Sequence, residues 1–84
     1  MALEVRLVDG NTDTYSGTDV EDPGNWGSFV RYEYEVRADE ALAVWQVEKR
    51  GYLHYDNRYS DVKEVSKREV AFYRAFQWIN VRNT

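Results

Sequence analysis

The sequence predicts an α+β fold that is mostly β: a small antiparallel sheet around a central hairpin, about 29–37 and 42–49. Two observations carry this expectation. Val30, Tyr32, Tyr34 and Val36 alternate with Arg31, Glu33, Glu35 and Arg37, the period of two that marks a strand with one covered face. Leu42 to Lys49 is rich in the β-branched and aromatic residues that suit a pleated surface. Ala38-Asp39-Glu40-Ala41 lies between the two runs and lacks the glycine that a two-residue primed turn prefers, so a four-residue loop is expected.

That loop length sets the expected register. Arg37 faces Leu42, Val36 meets Ala43, Tyr34 meets Trp45, and Tyr32 meets Val47. Arg31 then opposes Glu48 on the other face. A slip that puts Tyr34 on Gln46 mixes the two faces. In the chosen register the tyrosines and Trp45 line the interior, each cross-strand pair contributing roughly 0.2–1 kcal/mol.

The remaining elements follow in order. Leu3, Val5 and Leu7 alternate with Glu4 and Arg6, which predicts a first strand near 2–8 ending at Asp9-Gly10. Residues 11–28 lose this pattern and read as a long loop, either functional or an ordered flap pinned by Trp26. Within it Pro23-Gly24 is a turn signal, the proline pre-setting one position and the glycine accepting positive φ at the next. Gly51 is expected to break the second strand of the hairpin. Residues 60–68 are open between helix and strand: Val62 and Val65 suit a helical turn, and Ser66 with Glu69 suits a capping box. Aromatic and β-branched density favours a strand at Glu69–Tyr73, a short helical turn near 74–77 and a C-terminal strand from Trp78.

At 84 residues the chain is one domain, 1–84, with a narrow stability margin. It has no cysteine, which removes disulfides, thiolate metal sites and thiol catalysis together. No apolar run is long enough to span a membrane and the start is no signal peptide, so a cytoplasmic location is expected. The net charge is −4, against a general phosphate binder. It is unevenly spread: six acids and one base in 1–28, five and four in 29–50, four and six in 51–84.

Asp9, Asn11 and Asp13 resemble the start of a calcium loop, but that spacing needs glycine and glutamate where Thr14 and Val20 stand. An Asx turn explains the same letters. His54 is the one histidine, with no second ligand or nucleophile at motif spacing, and reads as structural or exposed. No catalytic residue, metal site or cofactor is expected. The leading expectation is a non-enzymatic protein that binds a macromolecule through Asp19, Glu21, Asp22 and Trp26, since tryptophan anchors interfaces and the acidic loop offers charge. The alternative is a single-stranded nucleic-acid binder using Tyr52, Tyr55, Arg58, Tyr59, Lys67 and Arg68, aromatics that stack on bases beside cations. A third is a structural oligomer joined by a strand edge.

Several stretches resemble small orphan proteins encoded by actinobacterial phages. They are the loop Val20-Glu21-Asp22-Pro23-Gly24-Asn25-Trp26, the strand Arg31-Tyr32-Glu33-Tyr34, its return Ala43-Val44-Trp45, and the ending from Val70 to Val81. The relatives often carry Tyr-Ser-Pro where this chain has Tyr73-Arg74-Ala75. The likeness spans about half the chain and consists of packing motifs. It implies a host-directed or an accessory phage role and carries over no site residues.

Overall fold

The computed structural model describes residues 2–84. Six strands form: β1 (Ala2–Leu7), β2 (Thr12–Ser16), β3 (Asn25–Val36), β4 (Leu42–Leu53), β5 (Tyr59–Tyr73) and β6 (Trp78–Asn83). They make two three-stranded antiparallel sheets, ordered β2-β1-β6 and β3-β4-β5. The architecture is therefore all-β, in place of the expected α+β fold with a single sheet. The expected helical turn at 74–77 is a tight reversal: Gln77 N–H donates to the Arg74 carbonyl, and Gln77 Oε1 accepts from Arg74 N–H. That closure lets Trp78 start β6 at once. Among the described residues there is no helix, hence none long and apolar enough to cross a membrane.

Three hairpins share one turn chemistry. Each has a three-residue loop with aspartate in the middle and a left-handed residue after it: Gly10 (φ 92°), Glu40 (φ 64°) and Asn57 (φ 65°). In each, the aspartate Oδ1 accepts from the N–H two residues on, Asp9 from Asn11, Asp39 from Ala41 and Asp56 from Arg58. The Asx reading of Asp9 and Asn11 therefore holds. The central loop is three residues, not four, because Glu40 adopts the left-handed conformation without being glycine, and Arg37 N–H reaches the Ala41 carbonyl.

One residue less in the loop moves the register by one. Val36 faces Leu42, Tyr34 faces Val44, Tyr32 faces Gln46 and Arg31 faces Val47, instead of the expected pairs. Tyr34 and Trp45 consequently point to opposite faces of the sheet, and Tyr34 is 42% exposed. The interior is aliphatic, with Leu3, Val5, Leu42, Val44 and Val47 fully buried. What decides the register is the second sheet: Leu42 and Val44 pack on Leu3 and Val5, with Tyr15, Tyr32 and Tyr73 at the margin. No account of the hairpin by itself contains that contact.

The long sheet buries different faces at its two ends. Near the 37–41 loop, the face bearing Leu42 and Val44 is covered by the β2-β1-β6 sheet. At the far end the opposite face is covered, where Phe29, Leu53 and Tyr59 enclose Val20 from the loop that follows β2. That loop is tied to β3 by Thr18, whose N–H and carbonyl both pair with Val30. Residues 11–28 are thus not one loop: they hold β2 and the start of β3, and the flap is pinned by Val20 rather than by Trp26. Gly24 takes the expected positive φ, 83°.

Pairing with β4 draws residues 60–68 into one 15-residue strand, overriding their local helical signals. β5 bulges at three places, between the partners of Val44 and Trp45, Glu48 and Lys49, and Arg50 and Tyr52. Bulges blunt a long exposed edge against pairing with other chains, which opposes an edge-joined oligomer. Gly51 does not break β4. It lies opposite the last bulge, where a Cβ would stand 3.0 Å from a Val62 methyl and 3.3 Å from the Ser60 carbonyl. Gly51→Ala is expected to cost about 1–3 kcal/mol by overpacking, read as a lower urea midpoint. An unchanged midpoint would show that β5 yields there.

Candidate macromolecule-binding face

The far half of the β3-β4-β5 sheet has one face that the second sheet does not cover beyond Tyr32, whose ring meets Tyr15 of β2 at 5.4 Å. Period-two alternation along β3 and β4 places Trp26, Ser28 and Val30 on it, with Tyr32 at its border, together with Gln46, Glu48, Arg50 and Tyr52. β5 adds Arg68, Ser66, Lys63 and Ser60, the partners of those β4 residues. Side chains are ordered in rows across the strands. Gln46 donates to Tyr32 Oη (3.1 Å) and accepts from Arg68 Nε (2.8 Å), and Ser66 donates to Glu48 (3.4 Å).

The outer rows are aromatic. Trp26 meets Tyr52 edge-on at 5.6 Å, and Tyr52 meets His54 edge-on at 4.9 Å. His54 Nε2 lies 2.8 Å from Ser60 Oγ. This hydroxyl–imidazole contact closes the end of the β4–β5 hairpin, and among the described residues no carboxylate bonds the other ring nitrogen to orient it for base chemistry. Between the aromatic row and Glu48, a cavity of about 480 Å³ is lined by Trp26, Arg50, Asp61 and Lys63.

The acidic-loop residues and Trp26 do not form one surface. Asp19 is exposed, but its carboxylate is already engaged within the chain, 2.7 Å from the Arg31 guanidinium and accepting from Tyr59 Oη at 3.1 Å. The Arg31 hydrogen bond holds its carboxyl below the usual carboxylate range. Arg31 itself lies over the Phe29 and Tyr59 rings, so it anchors the flap instead of pairing with Glu48. Glu21 and Asp22 are exposed beside a groove along the β3 edge. Trp26 projects from the face opposite Val20.

The nucleic-acid set divides as well. Tyr52 and Arg68 share the uncovered face. Lys67 is on the other, ion-paired with Glu33 and over the Trp45 ring. Tyr59 is stacked on Phe29 at 4.2 Å, and Arg58 pairs with Asp56. Tyr55 is 83% exposed at the hairpin tip, against Gly24. Arg50 went unnoticed in the sequence because its role depends on which residue of β5 stands opposite.

Fold and face together define a small two-sheet β protein with an uncovered surface that is aromatic at one end and cationic beside it. No protein-family model, curated protein or solved structure matches the chain.

Proposed function

We propose that the chain is a non-enzymatic binding protein whose uncovered β3-β4-β5 face docks on another protein, in the cytoplasm of a bacterial host. The supporting observation is Trp26, 50% exposed, braced edge-on by Tyr52 and flanked by Arg50. Tryptophan, tyrosine and arginine dominate interface energetics. A braced ring also loses little freedom when a partner covers it. The resemblance of several stretches to phage orphan proteins is compatible with a host-directed or an accessory role.

A single-stranded nucleic acid is the weaker reading, because four of its six expected residues lie off this face and the net charge is −4. Immobilised protein should retain a host protein that Trp26→Ala loses and Ile79→Ala keeps, Ile79 being comparably exposed on β6. The expected loss of affinity is on the order of 30-fold, the scale of one hot-spot residue. Identical retention by all three overturns the proposal.

A further inference from the structure

We infer, resting on that reading, that the cavity between Trp26, Arg50 and Lys63 takes an acidic segment of the partner protein, with two neighbouring carboxylates beside an apolar side chain. Arg50 and Lys63 are register partners on adjacent strands, and like charges placed directly opposite destabilise a sheet. Neither forms an ion pair among the described residues.

The other face of the same sheet behaves differently. Arg31 pairs with Asp19, Arg37 with Glu35 and Glu69, and Lys49 and Lys67 share Glu33. The chain holds 15 acids to 11 bases, so carboxylates are in surplus. Arg6, Arg68 and Arg74 form no ion pair either among the described residues, but Arg50 and Lys63 are the exception among register partners in both being cations.

Backbone strain maintains that exception. Two residues of β5, Asp61 and Val62, stand opposite the single Gly51, with Asp61 held at φ 53°. Without the bulge, regular pairing continued from Tyr52 and Ser60 would put Val62 opposite Arg50. The bulge therefore exchanges a neutral partner for a lysine, at the expense of a left-handed non-glycine residue. Bulges that re-aim a side chain, and strain of this kind, concentrate at functional sites.

The cavity supplies the rest of the recognition. Its volume, about 480 Å³, suits one apolar side chain laid against the Trp26 ring with carboxylates on the two cations. Asp61 lines the cavity beside Lys63 and Glu48 lies beyond Arg50, so carboxylates interrupt the positive potential on both sides. A phosphate chain would meet these carboxylates at successive residues, whereas a peptide places its charges at discrete positions. The geometry thus favours an acidic peptide over a nucleic acid.

The test is an NMR titration of the ¹⁵N-labelled chain with acetyl-Gly-Phe-Glu-Glu-Gly-amide, its glutamine counterpart, and a thymidine oligonucleotide of equal charge. The glutamate peptide should shift the Trp26 indole and the Arg50 and Lys63 amides saturably, leaving the Trp45 and Trp78 indoles in place. Lys63→Gln should weaken binding about fivefold, the scale of one exposed ion pair, while raising the thermal midpoint because the like-charge contact is gone. The inference is overturned by no shift at millimolar peptide, equal shifts from the glutamine peptide, tighter binding of the oligonucleotide, or a lowered midpoint in Lys63→Gln. Any of these alongside intact Trp26-dependent capture of a host protein would discard the acidic occupant and leave the docking face standing.

Discussion

Leu42→Ala should cost about 2–5 kcal/mol, a large part of the roughly 4–13 kcal/mol that a chain of 84 residues commands. Leu42 is 0% exposed and joins Val44 in packing against Leu3 and Val5 across the two sheets. Both sheets are held by their own ladders, so the space left by the missing methyls cannot collapse. Tyr34→Ala is the matched control. It removes a larger side chain from a neighbouring site on β3, yet its exposure limits the expected loss to about 0.5 kcal/mol. Urea midpoints of the two variants compare the registers directly: equal losses would mean that Tyr34 is interior after all.

Tyr73→Phe is the second large effect. Tyr73 Oη donates to Asp13 Oδ2 at 2.6 Å, and Tyr15 Oη lies 2.5 Å from Tyr73 Oη. Since the one Tyr73 proton goes to the carboxylate, Tyr15 donates to Tyr73, and the chain ties β2 of one sheet to β5 of the other. Losing a hydrogen bond to a charged, half-buried group is expected to cost about 1.5–3 kcal/mol. The same site sets an alkaline limit. Burial, then the hydrogen bond to Asp13, raises the Tyr73 phenol well above its ordinary 10.0. A folded-state pKa above the unfolded one contributes stability that is whole below pH 10.0 and declines as pH rises from there towards the folded value. Stability of the native chain should therefore fall above pH 10 more steeply than that of Tyr73→Phe, measured as urea midpoints across that range. Parallel curves would contradict the assignment.

Much of the candidate face was legible as residue types. Trp26, Tyr52 and Arg68 carry the right chemistry, and each was singled out, but in two competing sets. They belong together because Trp26 pairs with Tyr52 and Arg68 with Gln46 across the long sheet. Asp19 and Tyr59 looked equally available in the sequence. They are occupied by Arg31 and Phe29, partners 12 and 30 residues away, and separation of that kind leaves no periodic trace.

What the amino-acid order determined by itself was local and partial: the dominance of β structure, the first strand and the β3–β4 hairpin, but neither β2 nor the unbroken Tyr59–Tyr73 strand. Alternation reports that two faces of a strand differ, and an aspartate followed by a left-handed residue, Gly10, Glu40 or Asn57, closes each of the three hairpins. Tertiary structure alone decided the register, the division into two sheets, and the pairing of Arg50 with Lys63. Those depend on what covers each face and on where an extra residue bulges, and both are settled by surfaces that meet only once the chain has folded.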